Sequence, residues 1–70
     1  MTQEEKIAMI SETIEAENLT PDTELSTLDV WDSLARLSII IMFDKKFKKN
    51  ISAEQFINFK TVNDIMAEME

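Results

Sequence analysis

An all-α fold, a small four-helix bundle of three main helices and one short one with a long loop between the first two, is predicted by three features of the 70-residue sequence. Apolar residues recur at helical spacing in three separate segments. Pairs of Ser or Thr with Glu, Gln or Asp three residues later mark helix starts, and no two segments alternate like strands joined by a hairpin turn. A chain of this length encloses one modest core, so residues 1–70 are read as a single domain. With no Cys, His or Gly, it has neither disulfides nor soft-metal sites to brace that core, which packing must hold.

Thr2 and Glu5 have the spacing of a capping box, and Ile7, Ile10 and Ile14 follow on one stripe broadened by Met9, which places helix one from Gln3 to Glu17. Its other face, Glu4, Glu5, Glu12 and Glu15, reads as a solvated surface. From Asn18 to Trp31 the periodicity stops and turn-forming residues accumulate. A loop this long in a compact domain must be functional or pinned, and Leu19, Leu25 and Leu28 are the expected pins, with room for a short helical turn.

Asp32 is an N-cap, and helix two runs the fifteen residues from Ser33 to Phe47 without Gly or Pro. The β-branched run Ile39-Ile40-Ile41 suits a strand by propensity, but no partner strand exists, so tertiary context overrides it. Asn50 is the expected left-handed closing residue, with Lys45, Lys46, Lys48 and Lys49 at the helix's negative end. Ser52 with Gln55 opens a short helix to about Ile57. Thr61 with Asp64 opens the last, Val62 to Met69, whose apolar stripe is Val62, Ile65, Met66 and Met69.

The net charge of −7 disfavours nucleic acid and anionic lipid as partners. It is unevenly spread: residues 1–35 hold nine acids and one base, residues 36–70 six bases and five acids. The longest apolar run, Ile39 to Phe43, is far too short to enter and cross a bilayer, and a cytoplasmic location is expected. Without His, Cys or a glycine-rich loop the chain cannot assemble a nucleophile–base pair, a soft-metal site or a phosphate cradle, so it is not expected to be an enzyme or to bind a metal. A calcium loop beginning at Asp22 fails for want of the central Gly and because its twelfth position is Ser33.

Asp32-Ser33-Leu34 alone is an ordinary helix start. The helix behind it is less ordinary. Leu34, Leu37 and Ile41 form one apolar stripe, while Ile40, Phe43 and Phe47, with Ile39 beside them, form another. Too few residues are available to cover both, so one of the two is expected to stay exposed near Ser33 as a partner-binding patch, with Arg36 as a further candidate partner residue.

In order and spacing, the whole chain resembles the acyl carrier protein family: Asp32-Ser33-Leu34 opens the second helix after a long loop, Phe47 closes it, and Thr61-Val62-Asn63-Asp64-Ile65 opens the last. The resemblance implies that Ser33 is the attachment point for 4′-phosphopantetheine, transferred from coenzyme A by a separate Mg²⁺-dependent phosphopantetheinyl transferase. The arm then carries an acyl group as a thioester between acyl-loading, modifying and acyltransferase enzymes. It further implies that Asp32 supports the modification by helping to hold the transferase's metal. Leu34, Leu37 and Ile41 would contact partners, Ile40, Phe43 and Phe47 would face inward and could line an acyl pocket, and the chain would work as a monomer in fatty-acid or lipid biosynthesis.

Two departures stand out. Val30-Trp31 precedes the motif where most members have Gly, which resembles a subset with Trp before the Asp; the ring is expected to pack beneath the loop rather than shield the arm. Acids that line helix two in fatty-acid-synthesis carriers are replaced by Ala35, Arg36, Ser38, Lys45 and Lys46, leaving only Asp44. That points to a dedicated pathway rather than general fatty-acid synthesis. An aminoacyl or peptidyl carrier and an unmodified helical adaptor remain as alternatives, because the loading enzyme, not the carrier, chooses the cargo.

Overall fold

The computed structural model describes residues 1–69. Four helices, α1 (Gln3–Ile14), α2 (Ser33–Met42), α3 (Ala53–Ile57) and α4 (Val62–Met66), pack around one core, with the long loop between α1 and α2 as expected. Ile10, Leu25, Ile39, Phe43, Val62 and Ile65 are its most deeply buried side chains. No charged or polar side chain is buried among the described residues. Apolar packing therefore carries the stability.

Each helix opens on the residue chosen for it. Thr2 and Glu5 exchange bonds, the Thr2 amide donating to Glu5 Oε1 at 2.8 Å and the Glu5 amide to Thr2 Oγ1 at 3.2 Å. Ser52 and Gln55 repeat the arrangement at 3.0 and 3.2 Å. At α4 the Asp64 carboxylate accepts from the amides of Lys60 at 2.8 Å and Thr61 at 3.0 Å. These amides hold the Asp64 carboxyl below its usual range, Lys60's first, and the Thr2 amide does the same for Glu5.

The helix ends depart from the sequence reading. α1 stops at Ile14, not Glu17, because Glu15 turns left-handed (φ 55°) and the Ala16 amide bonds the Ser11 carbonyl at 3.0 Å. That reversal swings Ala16 and Leu19 into the core, where a continuing helix would have carried them past it. α2 is α-helical only to Met42 and then widens into a π turn over Phe43–Phe47. Lys48 (φ 53°), not Asn50, takes the left-handed closing position, and the Lys49 amide reaches back to the Phe43 carbonyl at 3.1 Å. Lys49 Nζ bonds Glu68, 3.1 Å from its carboxylate and 3.0 Å from its carbonyl, and so ties the end of the turn to the residues after α4. α4 ends at Met66 rather than Met69, although Met69 is still buried.

The α1–α2 loop is pinned by backbone as well as by Leu19, Leu25 and the half-buried Leu28. The Leu25 amide donates to the Lys60 carbonyl at 2.8 Å, and the Val62 and Asn63 amides donate to the carbonyls of Thr23 (3.0 Å) and Pro21 (2.9 Å). The loop thereby satisfies first-turn donors of α4 that a short helix would otherwise leave open. A single 3₁₀ turn, Leu25–Thr27, gives the helical turn anticipated within the loop.

Candidate functional site

The site is built at the mouth of α2. Asp32 takes an extended conformation and its Oδ1 accepts from the Ala35 amide at 2.9 Å, while its carbonyl accepts from the Arg36 amide at 3.0 Å. Ser33 therefore becomes the first helical residue, and its side chain is exposed. The amides of Ser33 and Leu34 have no partner among the described residues, so they add to the positive end of the helix beside the hydroxyl.

Trp31 fixes this mouth against the rest of the bundle. It is half-buried, packed on the core, and its ring stacks on Phe56 of α3 with centroids 6.2 Å apart and planes inclined by 30°. Phe56 in turn meets Phe59 edge-on at 5.1 Å. The ring packs, as expected of it, and it ties the residue before Asp32 to the helix across from Ser33.

Between α2 and α3 lies an open groove of about 390 Å³ lined by Ser33, Arg36, Leu37, Ile40, Phe56 and Ile57. Of the inward-facing set, only Ile40 lines the groove: Phe43 is fully buried in the core, and Phe47 is half-buried against it, ring centroids 5.5 Å apart. Leu34, Leu37 and Ile41 are 73%, 51% and 45% exposed, so the bundle leaves the expected stripe uncovered. Arg36 is exposed as expected but stands on the groove side of that stripe, with Ser33. Ala35 does not belong to the outer face: it points inward and is buried, because its position shares the core-facing side with Ile39 and Met42.

Ile57, 78% exposed across the groove, is the site residue that periodicity missed. The signal was there in Phe56-Ile57: adjacent residues on so short a helix cannot both face one core, and the larger ring takes it. Among the described residues no three acidic side chains gather closely enough to hold a metal ion, and no helix is long and apolar enough to cross a membrane.

No curated protein and no solved structure matches the chain significantly. The family model for the phosphopantetheine attachment site, however, matches residues 7–69, which run from α1 through the loop, Ser33 and α4, and by that match the chain belongs to this acyl-carrier-protein-like family.

Proposed function

We propose that the protein is a discrete carrier whose Ser33 bears 4′-phosphopantetheine and whose outer α2 face is read by the enzymes that load and unload it. Members of the family are typically non-catalytic carriers, and this chain's residue types agree with that role. The observation that carries the reading is the placement of one exposed hydroxyl, Ser33, at the start of α2, at the lip of an apolar groove and at the head of an exposed apolar stripe.

The residues fit the group. Ser33 is open to a transferase, the unpartnered amides of Ser33 and Leu34 favour an anion, and Asp32 keeps the helix start fixed while leaving the hydroxyl outside. The bound group supplies a flexible arm ending in a thiol, which holds cargo as a thioester at raised effective concentration for each partner. Ile40, Phe56 and Ile57 offer apolar surface along which an acyl cargo can lie, while Leu34, Leu37 and Ile41 present contact area to partner enzymes. Arg36 in α2 and Lys45 and Lys46 in the π turn that follows it stand in place of acids and favour a dedicated acyl pathway over general fatty-acid synthesis.

The test is intact mass after incubation with coenzyme A, Mg²⁺ and a broad-specificity phosphopantetheinyl transferase. A gain of one phosphopantetheine, absent in Ser33→Ala, is expected. An unchanged mass with several such transferases would leave the helical-adaptor reading in its place. Modified protein that general fatty-acid synthase enzymes load and elongate as well as their own carrier would refute the dedicated pathway.

A further inference from the structure

We propose that Arg36 holds the anion of this site: once Ser33 carries its phosphodiester, the Arg36 guanidinium pairs with it and directs the arm into the groove between α2 and α3. The inference rests on the carrier reading for the identity of the anion, and on side-chain placement for the role of Arg36. Ser33 and Arg36 are three apart on α2 and line the same groove. Residues at this spacing have Cβ atoms about 5–6 Å apart, and a long helical side chain covers the turn N-terminal to its own Cα. For Arg36 that is the turn opened by Ser33, so its guanidinium reaches an anion bonded to the Ser33 hydroxyl oxygen.

Arg36 is exposed and forms no ion pair with a described residue. Asp32, the acid one turn before it, has its Oδ1 on the Ala35 amide instead. The other side of the helix mouth has the opposite charge: the hollow between α1 and α2 is lined by Glu15, Asp29 and Asp32 together with Leu34 and Ser38. A phosphodiester on Ser33 is repelled from that hollow and drawn toward Arg36, so the local field sorts the two sides of α2 on which the arm lies. On the Arg36 side the wall is apolar, formed by Leu37, Ile40, Phe56 and Ile57, and suits the methyl and methylene groups of the arm. Arg fits this task better than Lys, because its planar fork donates two bonds to one phosphate. The pair stands in water, so its effect is modest: the ratio of groove-bound to free arm should rise by about two- to fivefold.

Two measurements test it. The chain has no Cys, so in Ser33→Cys the introduced thiol is unique, and its pKa reports the charge felt at that position without any transferase. Arg36→Gln in that background should raise the thiol pKa by about 0.2–0.7 pH unit, and Arg36→Lys should raise it less. Lys45→Gln removes an equal charge about 18 Å from position 33 along the helix and should leave the thiol almost unchanged. In the modified protein, NMR follows contacts from the methyl groups of the arm to Ile57 and the ³¹P resonance of the phosphodiester, with helical CD checking the fold. Those contacts should weaken about two- to fivefold in Arg36→Gln, and likewise in wild type at about 1 M salt, the ³¹P resonance moving with them. A thiol indifferent to Arg36→Gln, an effect of Lys45→Gln as large, or arm contacts equal in wild type and Arg36→Gln would overturn the proposal. A thiol that responds to Arg36 in a chain whose native Ser33 gains no mass would instead defeat the carrier reading alone.

Discussion

The two faces of α2 can be weighed against each other with one kind of substitution, Leu34→Ala and Ile39→Ala. The residues are five apart on the same helix and lose similar apolar groups, but Leu34 is 73% exposed and Ile39 is 0% exposed. Full burial of such a side chain contributes roughly 1.5–3 kcal/mol, so the quarter of Leu34 that is covered contributes about 0.5 kcal/mol. The better helix propensity of Ala offsets a little of that loss. Ile39→Ala removes a fully buried side chain and leaves a cavity in a close-packed core, costing about 2–5 kcal/mol. At about 4–8 °C per kcal/mol for a domain of this size, thermal unfolding followed by CD should fall by no more than about 4 °C for Leu34→Ala and by 8 °C or more for Ile39→Ala. Equal losses would show that Leu34 is covered in solution. The exposed stripe, and every docking role assigned to it, would then fall.

Three further outcomes are expected. Asp32→Ala should cost about 1 kcal/mol through loss of the bond to the Ala35 amide and should also slow modification of Ser33, whereas Ser33→Ala should leave the melting temperature almost unchanged; urea titration and intact mass report the two effects separately. Glu5 and Asp64 have depressed pKa values in the folded protein, so the stability they contribute is fully present above the ordinary carboxylate range and is lost as pH falls through their folded values. Melting temperatures between pH 6 and pH 3 should accordingly drop from about pH 4.3 downward, and Glu5→Gln with Asp64→Asn should flatten that limb; a slope unchanged by both substitutions would contradict the assigned bonds. Trp31 is the sole Trp and stacks on Phe56 at the groove, so its fluorescence should respond when acyl cargo replaces water along Ile40 and Ile57, and an identical spectrum with and without cargo would place the cargo elsewhere.

Helix starts were legible because each depends on a few adjacent residues. Thr2 with Glu5, Asp32, Ser52 with Gln55 and Thr61 with Asp64 lie at or beside the open amides they serve, so their spacing alone identifies them. Helix ends were not legible, since what stops them lies elsewhere in the chain. Nothing in Glu15 or Lys48 favours a left-handed backbone over Asn50 by residue type. Glu15 turns because Ala16 and Leu19 must reach the core, and Lys48 turns where Lys49 is held on Glu68. The loop followed the same logic: its three leucines could be named as pins, but the bonds from Leu25 to Lys60 and from Val62 to Thr23 link distant residues that no local pattern connects.

The site divides along the same line, and the division bears on what the protein does. Ser33, Asp32 and the stripe of Leu34, Leu37 and Ile41 all belong to one helix, whose geometry fixes their relation before any packing is known. The groove belongs to two helices. Its far wall, Phe56 and Ile57, is set by α3, and Trp31 stacking on Phe56 couples that wall to the residue preceding the Asp32-Ser33-Leu34 start. A change in α3 is thus felt at the mouth of α2, which a reading of α2 alone could not show. On the proposed carrier reading it also separates two demands: partner contact would rest on an outer face whose residues are exposed and add little to stability, while any hold on cargo would rest on a wall coupled to the core through Phe56. Substitutions on that outer face at Leu34, Leu37 or Ile41 should therefore be cheap for the fold, and those that reshape the groove at Phe56 costly.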